Sequence, residues 1–190
     1  TPVKVLRRAQ VKAGETVAVF GAGGGIGVHM LMLARWARTR VIAIDIAADK
    51  FSACREAGAD EIIDASEDKV AEALLDLTGG DGVDVVIDFV SAASTLEAGA
   101  EALGRRGRLV TLGGTGEKFQ ADAHAMLLKE QDLLGSRYVT RSEVLDALDL
   151  VARGDIWPMV TDIRPLEEAE ALHERLENGA VTGRAALLIG

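Results

Sequence analysis

Residues 17–30, VAVFGAGGGIGVHM, put five glycines into the seven positions from 21 to 27, with apolar residues before and after and no proline. An apolar run that enters such a turn, followed by a helical apolar pattern, predicts strand, tight turn and helix start. Ala22, Gly24 and Gly27 read as A-x-G-x-x-G. Small residues at that spacing permit a sharp turn, close approach of backbone to a pyrophosphate, and close packing of helix on sheet. Gly21, Gly23, Gly25 and Ile26 complete the turn, and the extra glycines leave it further open backbone. Unpaired N–H groups and the positive end of the helix dipole would then face an anion. A glycine-rich loop of this kind also occurs with no ligand, so its surroundings decide.

Those surroundings repeat a pattern. TVAVF (16–20), RVIAID (40–45), EIID (61–64), VDVVIDFV (83–90), GRLVTLG (107–113) and DLLGSRYV (132–139) are six strand candidates. Several are apolar on successive residues, as in parallel strands covered on both faces. Helical patterns lie between them. Ile26, Met30, Leu33, Ala34 and Ala37 form one stripe, Asp49 reads as the N-cap of a helix over 50–57 that stops at Gly58, and further helices are expected near 67–77 and 94–103. Right-handed crossovers then predict an α/β, doubly wound parallel six-stranded sheet of order 3-2-1-4-5-6.

Asp45 ends the second strand about twenty residues beyond the turn, where an acid accepts hydrogen bonds from an adenosine ribose. A carboxylate there repels a 2′-phosphate, and Ile46, Ala47 and Ala48, which follow it, include no arginine to receive one. NAD is expected over NADP. Without the glycine turn, Asp45 would read as a solvated strand-end acid. Lys50 is also within reach of the ribose.

Thirty acidic against 21 basic residues give a formal charge of −9, which opposes binding to nucleic-acid phosphates or anionic lipid. Cys54 is the one cysteine, so an internal disulfide and a cysteine-rich metal cluster are both excluded. No stretch approaches the length of a membrane span, and TPVKVLRRAQ at the start carries no signal-peptide core. A cytoplasmic protein, binding neither nucleic acid nor membrane, is expected.

GETVAVFGAGGGIGVHMLMLARW, VIAIDIAADKFSACREAGADEIID, TGGDGVDVVIDFVSAASTLEAGAEAL, GRRGRLVTLGGTGE and LENGAVTGRAALLIG together resemble the coenzyme-binding part of the medium-chain, zinc-type alcohol dehydrogenases, nearly end to end. The resemblance implies a Rossmann domain that binds NAD(H). It carries the ribose acid and lysine onto Asp45 and Lys50, and positions lining the adenosine and nicotinamide ribose side onto Val90 and Ser91. Leu112 and Gly113 match the backbone that holds the carboxamide, and Arg184 an arginine that approaches the pyrophosphate. The glycine loop reads more like the quinone oxidoreductase branch of the family.

Family members also carry a catalytic domain with zinc ligands, and no catalytic or metal-binding set is legible here. His29, His124 and His173 are scattered among helical residues and expected to be structural or solvated. Asp84 and Asp88 read as solvated strand ends, and Cys54 as packed. Helices over 142–153 (Val144, Leu145, Leu148, Val151) and 166–177 (Leu166, Ala169, Leu172, Leu176) carry apolar stripes beyond the sheet. The expected division is therefore a coenzyme domain over 1–153 and a segment over 154–190 that normally joins the catalytic domain.

Three functions fit: the NAD(H)-binding portion of a zinc-type alcohol dehydrogenase, inactive alone; the same portion of a zinc-free quinone or enoyl reductase; and a stand-alone NAD-binding module. The first is preferred, since Asp45 argues against the NADPH preference usual in the second. The sixth strand is expected to be an open sheet edge that joins two copies into a homodimer.

Overall fold

The computed structural model describes residues 1–67, 69–113 and 117–190. Asp68, inside the expected helix over 67–77, and residues 114–116 of the family-like GRRGRLVTLGGTGE lie outside the described residues.

The six strands are β1 (Thr16–Phe20), β2 (Arg40–Asp45), β3 (Glu61–Asp64), β4 (Val83–Asp88), β5 (Leu103–Thr111) and β6 (Asp132–Gly135). They form one parallel sheet in the order β3-β2-β1-β4-β5-β6, as the sequence predicted. Successive apolar residues in a strand point to opposite faces, and both faces are covered. Val17, Val19, Val41, Val85 and Ile87 pack under α1 (Pro2–Arg8) and α2 (Gly27–Trp36). Ala18, Phe20, Ile42, Ile44, Val86 and Leu109 pack with Leu74 of α4 (Val70–Leu77) and Leu96 of α5 (Ala93–Glu101). Nearly all of these side chains are inaccessible to solvent. Each Val, Leu or Ile removed from water contributes about 1.5–3 kcal/mol, so the double-sided core dominates stability.

Several boundaries differ from expectation. β4 stops at Asp88 instead of residue 90, because the Asp88 side chain accepts the Val90 N–H and turns the chain. β5 spans Leu103–Thr111 instead of 107–113, with a register irregularity that lets Leu103 pair with Val83. β6 ends at Gly135, and among the described residues no strand pairs with the apolar residues after it. Asp49 is not an N-cap: a short 3₁₀ turn over Ala48–Lys50 precedes α3 (Phe51–Glu56), and Asp45 Oδ1 organises the entry by accepting the Ala47 N–H at 3.1 Å.

After α6 (Ala123–Lys129) and β6, the chain forms α7 (Arg141–Ala152). Thr140 opens it with a capping box: its hydroxyl accepts from Glu143 N, and Glu143 Oε2 accepts from Thr140 N at 2.7 Å. Beyond α7, β7 (Val160–Pro165) and β8 (Arg184–Leu188) make a separate two-stranded parallel sheet, with α8 (Ala169–Glu177) between them. Neither strand was among the six candidates: β7 alternates between exposed and half-buried residues without an apolar run, and β8 is the short run RAALL. Among the described residues no helix is long and apolar enough to cross a membrane.

Candidate coenzyme groove

The glycine turn lies at the C-terminal end of β1, between β2 and β4, where the strand order reverses direction. Crevices at such points bind ligands in doubly wound sheets. Its tightness has a plain cause. A side chain at Gly27 would put Cβ 2.2 Å from the Gly21 carbonyl oxygen, so only glycine lets α2 start against the turn.

Asp45 fastens the turn to β2. Its Oδ2 accepts the Gly23 N–H at 2.8 Å while Oδ1 holds Ala47, so the half-buried carboxylate faces the crevice with its position fixed on both sides. Lys50 is buried with its stem laid over Gly23, where an added Cβ would come within 2.6 Å of the lysine Cβ.

A cavity of about 490 Å³ runs over this arrangement, lined by Gly21, Gly24, Gly25, Ile26, Gly27, Asp45, Lys50 and Val90 among the expected site residues. Its size falls within the usual range for small-molecule sites. Ala22 and Gly23 lie buried in the wall behind it. Ser91 is buried and follows Val90 in the chain, while Leu112 and Gly113 follow β5: Leu112 N donates to Asp88 O at 3.1 Å, and Ser91 Oγ accepts the Gly113 N–H at 2.6 Å. Exposed Arg184 stands at the opposite rim, where its Nε would be 3.1 Å from a Cβ added to Gly25. Eight of the fourteen expected positions thus line the cavity, and Ala22, Gly23, Ser91, Leu112, Gly113 and Arg184 do not.

Sequence reasoning missed the parts that come from far along the chain. Asn178 and Gly179, which follow α8, also line the cavity, and Gly183 N donates to Gly23 O at 3.3 Å. The histidine in α2 ties this tail down. His29 Nδ1 lies 2.8 Å from Gly25 O, and its Nε2 accepts the Met159 N–H at 3.1 Å, so Nδ1 carries the proton. Met159 O in turn accepts the Arg184 N–H at 2.8 Å. Burial holds the His29 pKa below its usual value, which keeps the ring neutral and Nε2 free to accept. His29 is therefore structural, as expected, while His124 and His173 are exposed.

Both strand-end acids of β4 correct the expectation of solvation. Asp84 Oδ2 accepts the Thr16 N–H at 2.8 Å, closing the start of β1, and Asp88 is fully buried. Burial pushes the Cys54 thiol up to about 11, with Asp45 adding to the rise, so it is not a thiolate near neutral pH. Among the described residues no group of three or more His, Cys, Asp or Glu side chains is placed to hold a metal ion.

A doubly wound sheet, a glycine turn at its switch point and an acid at the end of the second strand define a nucleotide-binding dehydrogenase fold. Residues 25–153 match the family model described as zinc-binding dehydrogenase, and the chain belongs to that family. It is 33% identical over 190 residues to an NAD-dependent alcohol dehydrogenase of Saccharolobus solfataricus, aligning 99% of this chain with 54% of that protein. The solved structure of AibC superposes with a TM-score of 0.90 at 38% identity, over 98% of this chain and 52% of that one. An alcohol dehydrogenase from the hyperthermophilic archaeon Aeropyrum pernix gives a TM-score of 0.86 at 32% identity, over 97% and 52%. The chain spans about half the length of the curated relatives it matches.

Proposed function

We propose that this chain is the NAD(H)-binding portion of an NAD-dependent alcohol dehydrogenase, an oxidoreductase interconverting an alcohol with an aldehyde or ketone. The observation that carries the reading is Asp45, locked to the glycine turn through Gly23 and facing the groove. The carboxylate accepts from the adenosine ribose hydroxyls and repels a 2′-phosphate, with Lys50 beside it. The N–H groups at the start of α2 and the Arg184 guanidinium receive the pyrophosphate. Val90 and Ser91, with Leu112 and Gly113, hold the nicotinamide end. Bound there, the coenzyme supplies or accepts hydride.

The described residues do not fit a zinc ion, so polarisation of the alcohol oxygen is not assigned to them. The chain's own contribution is to bind and orient the coenzyme, and alone it is expected to turn over no alcohol. Residues 1–153 act as the coenzyme domain and 154–190 as a segment that completes a catalytic domain, a division supported by the separate β7–β8 sheet. The buried, unpaired Cys54 is consistent with the reducing cytoplasm. Open-edged β6 pairs with a second copy across a two-fold, next to exposed Leu127, Leu128 and Tyr138. Light scattering is expected to give twice the 20.0 kDa chain mass, and a monomer at micromolar concentration would exclude the pairing.

Calorimetric titration with NADH and with NADPH tests the coenzyme assignment. NADH is expected to bind the tighter, and Asp45→Ala to weaken it and narrow the difference. Tighter NADPH binding by the unmutated chain would refute the assignment.

A further inference from the structure

β4 ends in a carboxylate that does not reach the groove. Asp88 is 0% exposed, yet its oxygens are satisfied: Oδ1 accepts from Val90 N at 2.7 Å and Ser91 N at 2.9 Å, and Oδ2 accepts from Thr95 Oγ1 at 2.7 Å. Burying a carboxylate is costly unless such donors surround it. All three belong to residues 90–95, the segment that leads from β4 into α5. The main-chain oxygen of Asp88 also accepts the Leu112 N–H at 3.1 Å, on the loop after β5.

Ser91 carries the constraint further. It sits at φ 58°, in the left-handed region that a residue with a Cβ rarely occupies without being held there. Its hydroxyl lies 2.5 Å from Thr111 Oγ1 and accepts from Gly113 N at 2.6 Å. Gly113 is packed so closely that a Cβ would fall 2.4 Å from the serine Cβ and Oγ. One buried acid thus sets the β4 loop directly and the β5 loop through its own carbonyl and Ser91.

These two loops lie on the far side of the switch point from Asp45. A dinucleotide spans such a sheet with one nucleoside on each half. The half that does not sit on Asp45 must run along the β4 and β5 loops, whereas the adenosine and diphosphate rest on β1, β2 and the glycine turn. We propose that Asp88 is a positioning residue for the nicotinamide half alone: it touches no ligand, and it shapes the loops that do. The proposal rests on the reading of the groove as an NAD(H) site.

The test compares NADH with ADP, which lacks the nicotinamide and its ribose, by calorimetry on the unmutated chain and on Asp88→Asn. The amide keeps one oxygen for Val90 and Ser91, and Thr95, which also lies 3.1 Å from Ala92 O, can turn its hydroxyl to accept, so the fold is kept while the charge that strengthens the bonds to Val90 and Ser91 is lost. NADH affinity is expected to fall about tenfold or more, while ADP affinity stays within about twofold. Ser91→Ala, which removes the hydroxyl that bridges to Thr111 and Gly113, is expected to show the same split more weakly and serves if Asp88→Asn does not fold. Equal losses for both ligands, or no loss for either, would overturn the proposal. Failure of the unmutated chain to bind either NADH or ADP would instead refute the NAD(H) reading itself, and the proposal with it.

Discussion

Leu109 in β5 and Leu148 in α7 belong to equally clear apolar patterns, yet one is 1% exposed and the other 59%. The difference runs through the whole chain. In the sheet, both faces of β1, β2 and β4 are sealed by helices and the strands hold one another by continuous parallel pairing. After residue 140, Val144, Leu145, Leu148, Ile163, Leu166 and Leu176 are all open to solvent. That tail is attached by a few buried residues, Leu150, Ile156 and Met159, that join the main core, and by polar contacts: Gly183 to Gly23, Met159 to His29, and Arg7 to Asp146 at 2.8 Å. Within it, Asp162 is flanked by Arg164 at 2.7 Å and Arg175 at 3.2 Å, joining β7 to α8. An amphipathic pattern reports that a face wants cover. It does not report whether that cover lies within the same chain.

Truncating the two leucines measures this contrast. Leu109→Ala is expected to cost about 2–5 kcal/mol by chemical denaturation, because it empties space in a sealed core. Leu148→Ala is expected to change stability by no more than about 0.5 kcal/mol, as for a surface position. A large loss at Leu148 would mean that the α7 face is covered in solution, and a small one at Leu109 that the core is less tightly packed than the structure has it.

The strand order was legible because runs such as VAVF and VIAI announce burial on both faces, and the crossover rule leaves few orders open. The glycine turn and Asp45 were legible because their spacing is set by local backbone geometry. Asp88 was not, since an acid at the end of a strand looks the same whether water or three protein donors surround it. His29 was legible as structural but not as the tie to Met159, which is 130 residues away in the chain. The ends of β4 and β6 were overrun because Phe89–Val90 and Tyr138–Val139 are apolar, while strand length is decided by where pairing partners stop.

The central claim is that the sheet's switch point holds NAD(H) and that only the α8–β8 end of the tail takes part. Peptide-resolved hydrogen exchange with and without saturating NADH tests it most directly, because protection reports where backbone is immobilised. The account predicts slowed exchange at residues 21–27, 45–50 and 178–184, with no change over α7. Protection that spares the glycine turn and Asp45 while NADH is demonstrably bound, or that centres on α7, would contradict it.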